Sequence, residues 1–82
     1  MPLFRFNVTR AGETRTTDLR KSNPQGWLIE AVKATYPEIA SRRIDTIIRL
    51  KLQKPDPKRE VWQAILADAP HDLEIEVVKI KA

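Results

Sequence analysis

Residues 23–37 constrain the fold most, because they are the one stretch with the complete signature of a long helix. Asn23 is a favoured N-cap residue, and Pro24 suits the first helical position. Tyr36 precedes Pro37 and is therefore biased away from helical backbone, which predicts the end of the helix there. An apolar stripe at helical spacing lies between these limits, formed by Leu28, Ala31, Val32 and Thr35. We expect this helix, residues 24–36, to pack on a sheet supplied by its flanks.

The segment before the helix reads as two strands. Residues 3–9 alternate, with Phe4, Phe6 and Val8 on one side, which is typical of a half-buried strand. Residues 13–20 are rich in threonine and charge, which favours an edge strand. The hairpin between them contains Ala11 and Gly12, and a loop of about three to five residues is expected because alanine suits a two-residue type I′ turn poorly.

Residues 38–52 support two interpretations. Ile48, Leu50 and Leu52 alternate with charged residues, and the β-branched residues around them also favour a strand. This predicts a short turn at 37–42 and a strand over 44–52. The alternative is a second long helix over 38–50, because the isoleucines and Ala40 also fit helical spacing.

The last third of the chain predicts a short helix followed by a strand. Asp56 and Pro57 could start a helix over 57–67, with Val61, Trp62, Ile65 and Leu66 on its apolar side. From Leu73 the apolar residues alternate with glutamates, which indicates a final strand. Val78 and Ile80 fall on the opposite parity, which indicates a bulge or a covered second face near the end of this strand.

These elements predict an α+β fold with the order ββαβαβ. The expected sheet is mixed and four-stranded, with the main helix on one face and the first and last strands as parallel neighbours. In element order the chain resembles the ubiquitin-like β-grasp family, from the hairpin of residues 3–20 through the helix ending at Tyr36 to the last strand at Leu73. The resemblance implies partner binding through an apolar patch on the open sheet face. The chain ends Lys-Ile-Lys-Ala without the Gly-Gly tail of conjugable members, so conjugation is not expected.

Composition narrows the setting and the chemistry. The 82 residues make one small domain, and the absence of cysteine favours a reducing, cytoplasmic location. No apolar run is long enough to span a bilayer, and no signal peptide is evident. The net charge of +4 is compatible with either nucleic-acid binding or simple solubility.

Catalysis is not expected from this sequence. There is no cysteine, and His71 is the only histidine. His71 lies with Asp68 and Asp72 in a turn, a set too small for a convincing metal site, so neither a metal nor another cofactor is expected. A non-enzymatic binding domain is the interpretation that remains.

The first functional hypothesis is an adaptor that binds another protein. If Ile47 and Val78 lie on the open sheet face, they form an apolar patch rimmed by Arg49 and Lys51. Trp27, at the margin of the helix stripe, is a further candidate anchor, although core packing is the simpler interpretation for both tryptophans. A homodimer contact over the same patch is an alternative.

The second hypothesis is a small basic nucleic-acid-binding protein. A concentration of basic residues in the middle of the chain could contact phosphates. The residues are Arg42, Arg43, Arg49, Lys51, Lys54 and Lys58. The competing interpretation is a solvated face whose charges pair with neighbouring glutamates.

Overall fold

A computed structural model describes all residues, 1–82, as one sheet with helices on one side. The elements in chain order are strands β1 (Leu3–Arg10) and β2 (Glu13–Arg20), helices α1 (Leu28–Thr35), α2 (Pro37–Arg42) and α3 (Ile44–Arg49), and strands β3 (Val61–Leu66) and β4 (Leu73–Lys81). The sheet order is β2-β1-β4-β3. The expected α+β class with four strands is confirmed.

The pairing within the sheet differs from the prediction. All three strand pairs are antiparallel, including β1 with β4, so the sheet is not mixed and the expected parallel neighbours are wrong. The reason is that the second half of the chain returns as a hairpin, β3 and β4, and not through a crossover helix. The chain order is therefore ββαααββ.

The main helix is the best-predicted element. Its buried residues are Leu28, Ala31, Val32 and Thr35, the stripe read from the sequence. The α-helix begins at Leu28 and not at the predicted Pro24, because a 3-10 turn at Gln25–Trp27 precedes it. The Asn23 Oδ1 accepts a hydrogen bond from the Gly26 amide in this turn at 3.4 Å. Tyr36 leaves helical geometry with a ψ of 71°, as expected before Pro37.

The predicted strand over 44–52 is wrong. Residues 37–42 and 44–49 form α2 and α3, which places Ile47 fully inside the core while Ile48 is 62% exposed. The single long helix over 38–50 is closer, but Arg43 breaks it with a φ of −124°. Helical spacing prevails because α1 and α2 offer an apolar surface to one face of α3, which buries Ile47.

The predicted helix over 57–67 is also wrong, because Val61–Leu66 is strand β3. Trp62, Ala64 and Leu66 turn inward at alternating positions, and β3 pairs with β4 from Val61 opposite Val78 to Leu66 opposite Leu73. A short apolar run fits both periods, so periodicity alone could not separate them. The β-branched and aromatic content of this run was the available strand signal.

The first hairpin closes more tightly than expected. Arg10 pairs with Glu13 across a two-residue turn in which Ala11 has a φ of 52° and Gly12 a φ of 81°. The predicted longer loop is therefore wrong, and alanine occupies left-handed backbone that it tolerates poorly. The register irregularity expected near Val78 and Ile80 is present, since the β1–β4 pairing shifts between Leu3 and Phe4.

The hydrophobic core lies between the sheet and the helices. Phe4, Phe6 and Val8 of β1 meet the alternating apolar residues of β4, and the helices cover them. Trp27 and Trp62 pack at its margin, partly buried, which confirms core-edge packing for both tryptophans. The opposite face of the sheet is left open, and it carries none of the aromatic side chains.

Candidate functional site

The residues proposed as one protein-binding patch do not lie together. Ile47 has no exposed surface, because α3 packs it against the core and not on the open sheet face. Arg49 ends α3 and Lys51 follows it, both on the helix side, whereas Val78 faces the open side opposite Arg5. The predicted patch therefore lacks Ile47, whereas Val78 and Leu3 lie on the open face as predicted.

The proposed nucleic-acid-binding set is also divided. Arg42 and Arg43 lie at the end of the molecule that holds the loop between β3 and β4, where both contact Asp68. Lys54 and Lys58 lie at the other end, near the start of β3. Arg49 and Lys51 approach that same end, because the Leu50 carbonyl just beside them accepts a hydrogen bond from the Gln25 side chain at 2.8 Å.

Asp68 is the most constrained ionisable residue in the structure. Its carboxylate is 3% exposed and accepts hydrogen bonds from Arg42 at 3.0 and 3.1 Å, from Arg43 at 2.7 Å and from Arg10 at 2.6 Å. The hydrogen bonds from Arg42, with further contributions from Arg10, lower the pKa of Asp68 to about 2. This cluster ties β1, α2 and the loop after β3 together, so we assign Arg42 and Arg43 a structural role.

Most basic residues without an acidic partner gather at one end of the molecule, which we call the basic end. No carboxylate lies within 4 Å of these side chains. The residues of the basic end are Arg20, Arg49, Lys51, Lys58, Arg59, Lys79 and Lys81. Lys33 is the one other basic residue without such a partner, and it lies on the exposed side of α1.

Backbone pairing holds this basic end together. Leu3 is opposite Arg20 on one side and Lys81 on the other, so residues from three strands meet in one row. The Lys79 amide donates to the Glu60 carbonyl at 3.1 Å, which brings the end of β4 beside Lys58 and Arg59. The sequence reading missed Arg20, Lys79 and Lys81 because they are far apart in the chain, and only strand pairing brings them together.

Both tryptophans also lie at the basic end, and each has a lysine over its ring. The Lys21 Nζ is 3.7 Å from the centroid of Trp27, and the Lys54 Nζ is 5.4 Å from that of Trp62. These distances fit cation–π contacts. The segment between Leu50 and Lys54 connects the two sites, since Leu52 bonds to Gln25 near Trp27 and Gln53 pairs with Gln63 beside Trp62.

Most acidic groups without an ion pair lie at the other end or in the middle of the open sheet face, whereas Asp56 lies in the basic end, where its Oδ1 accepts a hydrogen bond from the Lys58 amide at 3.0 Å. Glu74 and Glu76 project from β4 on the open face, where Glu76 accepts a hydrogen bond from Asn7 at 3.1 Å. Glu38 and Asp72 lie toward the β1–β2 turn and the loop after β3. The molecule therefore has a basic end and a more acidic remainder.

The open sheet face is an ordered polar surface with a small apolar edge. Thr16 bonds to Asn7 at 2.8 Å, and the Thr9 and Thr14 hydroxyls are 2.7 Å apart. Toward the basic end, Leu3, Val61 and Val78 are half-buried on this face, and we call them the apolar row.

The turn around His71 has little capacity for a ligand. His71 is exposed, the Asp68 carboxylate is occupied by three arginines, and the Asp72 Oδ1 accepts the Asp68 amide at 3.3 Å. No group of three or more acidic, histidine or cysteine residues is arranged to hold a metal ion.

None of the helices has the length and apolar character needed to cross a membrane.

The chain matches no protein-family model, and neither the curated proteins nor the solved structures contain a significant match to it.

Proposed function

We propose that this protein is a non-enzymatic domain that binds single-stranded nucleic acid through its basic end. The observation that carries the proposal is the gathering of seven unpaired Lys and Arg residues beside both tryptophans. Unpaired cations keep their full charge available for phosphates, whereas the arginines around Asp68 do not. A cytoplasmic location, expected from the absence of cysteine, belongs to the same proposal.

The shape of the protein favours a single strand over a duplex. Reading a duplex in the major groove usually requires a helix that can enter the groove. The longest helix here, α1, has eight residues and buries its apolar stripe against the sheet. A flexible single strand can instead follow the row of cations from Arg20 to Lys81 and past Lys58.

The tryptophans supply the second part of the argument. Trp27 and Trp62 are each partly buried on the core side and meet a lysine ammonium on a ring face. A nucleobase can take the position of the ammonium and stack on the indole, while the displaced lysine binds the adjacent phosphate. Stacking of this kind contributes about 1–3 kcal/mol per base and tolerates different base sequences.

The test is an anisotropy titration of a labelled mixed-sequence oligonucleotide, single-stranded and as its duplex, over a series of salt concentrations. We expect tighter binding of the single strand and quenching of tryptophan fluorescence. The double variant Lys79→Gln with Lys81→Gln should weaken binding and reduce the salt slope by about 1–1.5, because roughly 0.7 of a counterion is released per phosphate contact. Lys33→Gln is the matched control, since it removes an unpaired lysine outside the basic end.

Two results would contradict the proposal. One is the absence of binding at low salt by either form of the oligonucleotide. The other is a loss of binding free energy in the Lys33→Gln control that is half or more of the loss in the double variant, which would show that net charge, and not the basic end, governs binding.

Protein binding at the open sheet face is a second candidate, favoured by the apolar row of Leu3, Val61 and Val78. This row lies beside the ion pair of Arg5 and Asp18, in which Arg5 Nε is 2.9 Å from the carboxylate. Polar rims around small apolar areas are typical of transient interfaces. Site-specific photo-crosslinking from Val61 should capture one discrete protein partner in cells, and crosslinking from Ile48 on α3 should not. Capture of the same products from both positions would refute this candidate.

A further inference from the structure

The outer edge of β2 is a regular row of backbone groups without partners. Arg10 and Glu13 flank a two-residue turn with positive φ at both positions, so they form a hydrogen-bonded pair, and every second pair along the ladder does the same. The Lys21 amide donates to the Pro2 carbonyl at 3.2 Å, which confirms this alternation at the far end. The residues between these pairs point their N–H and C=O groups away from β1.

These outward residues are Thr14, Thr16, Asp18 and Arg20. No backbone or side-chain hydrogen bond reaches their amides or carbonyls. The strand has eight residues without proline or a register shift, so charged side chains are the one usual device against edge pairing that it carries. By contrast, the other edge strand, β3, is partly covered where Gln53 pairs with Gln63.

We propose that β2 pairs antiparallel with β2 of a second copy of this chain, which joins the two sheets into one continuous sheet. The two-fold axis would pass beside Thr17. Thr16 would then exchange backbone hydrogen bonds with the partner's Asp18, and Thr14 with the partner's Arg20. Each outward residue thereby gains a partner, and the Thr17 residues of the two copies face each other as a pair without hydrogen bonds.

Charge selects this register. On the helix side of the sheet, Glu13 would face the partner's Lys21, and Arg15 would face the partner's Leu19. On the open side, the Thr16 hydroxyl would lie next to the Asp18 carboxylate of the partner subunit. Opposite charges and Thr–acid pairs across strands are favourable, whereas like charges directly opposite are not.

Neighbouring registers are worse on the same grounds. Residues with outward-pointing backbone groups can form hydrogen bonds only with such residues of the partner strand, so each allowed change of register moves the two-fold axis by one residue. If the axis passes beside Asp18, Asp18 faces the partner's Asp18 and Arg15 faces the partner's Lys21. Moving the axis toward Thr16 places Arg20 opposite the partner's Gly12, in the turn, and leaves Glu13 without a cationic neighbour.

The chain contains no cysteine, so single cysteine substitutions report on this interface without interference. In the proposed dimer the two Thr17 Cα atoms are about 4.5 Å apart, within the range of a disulfide. We expect Thr17→Cys to form a disulfide-linked dimer rapidly under mild oxidation with diamide. Thr14→Cys is the matched control on the same strand, and its two copies would be separated by several residues along the strand, beyond the reach of a disulfide.

Sedimentation velocity of the unmodified chain is the companion measurement. We expect a species with twice the mass of the 9.5 kDa chain, and Thr16→Pro should return it to monomer because proline removes an outward N–H that no intrachain bond uses. A monomeric unmodified chain would overturn the proposal. Equal cross-linking of Thr17→Cys and Thr14→Cys, or efficient cross-linking of Thr16→Cys in place of Thr17→Cys, would overturn the register.

Discussion

Asp68 shows how one residue can hold distant parts of the chain together. Its carboxylate is almost completely buried, and it accepts hydrogen bonds from arginines in β1, at the end of α2 and just after it. A buried carboxylate is costly unless it is paired, and here three guanidinium groups supply the pairing. The same contacts explain why two of the arginines that looked available for phosphate in the sequence are engaged within the protein.

The Asp68 cluster predicts a specific acid response. Its pKa in the folded protein is about 2, below the ordinary value of 3.8, so its contribution to stability is complete above pH 3.8 and is lost as the pH falls toward 2. Asp68→Asn loses the ion pairs with the arginines, so we expect a lower melting temperature near neutral pH. Because asparagine does not titrate, we also expect the melting temperature to decline less steeply between pH 3.8 and 2. Thermal melts between pH 2 and 6 measure both, and Asp45→Asn, at an exposed carboxylate without an ion pair, should behave as the unmodified protein. If the melting temperature of Asp68→Asn fell as steeply between pH 3.8 and 2 as that of the unmodified protein, Asp68 would not be the group responsible for this acid response.

Ile47 was expected on the open sheet face, but it lies in the core, and substitutions can test this position directly. It is fully buried, so Ile47→Ala should lower the free energy of unfolding by about 2–5 kcal/mol through lost burial and a residual cavity. Ile48→Ala, in the same helix but 62% exposed, should change it by less than about 0.5 kcal/mol. Urea denaturation of the two variants compares them directly. Similar losses in both would mean that α3 does not present Ile47 to the core.

At the scale of elements, the β1–β2 turn is a point of avoidable strain. Ala11 has a φ of 52°, in the left-handed region, where a residue with a Cβ is strained by about 1–2 kcal/mol and asparagine is better tolerated. We expect Ala11→Asn to raise the free energy of unfolding by about 0.5–1 kcal/mol, measured by denaturant unfolding. Ala11→Val should lower it, and an order of stability with valine above asparagine would refute the turn geometry.

Elements with one strong signal were predictable, and elements with two competing signals were not. In the α1 segment the helical stripe and the proline stop agree with the structure, whereas the α-helix begins at Leu28 and not at Pro24. Residues 44–49 and 61–66 are short apolar runs that fit either period, and the two segments exchanged their expected types. Tertiary packing decided both, since β4 offers a free edge to β3 and α1 offers an apolar face to α3. The basic end could not be found in sequence because strand pairing creates it.

At the scale of the whole molecule, charge is unevenly distributed. The basic end gathers seven cations without acidic partners, and acidic groups such as Glu38, Glu74 and Glu76 lie elsewhere. Repulsion among these cations should cost stability at low ionic strength, where screening is weak, and diminish at 0.1 M salt, where the Debye length is about 10 Å. An oriented charge distribution of this kind also steers an anionic ligand toward one end.

This asymmetry predicts that salt stabilises the protein in the absence of any ligand. Removing two charges with Lys79→Gln and Lys81→Gln should raise the melting temperature at low salt by about 2–4 °C and reduce its rise on adding sodium chloride. Lys33→Gln should have little effect on either quantity. Calorimetric melts at two salt concentrations provide the comparison, and a lower melting temperature for the double variant at low salt would show that these lysines stabilise the fold.

The central position of β4 also determines when this protein can fold during its synthesis. β4 is the last of the four strands to be synthesised, yet it lies between β1 and β3, and Leu3 at the start of β1 pairs with Lys81 at the end of β4. Until residues 73–81 emerge, β1 has β2 as its only neighbour, and Phe4, Phe6 and Val8 lack the strand that packs beside them. The apolar face of β1 therefore stays unassembled until residues 73–81 have been synthesised, and the sheet closes only through this contact between distant parts of the chain.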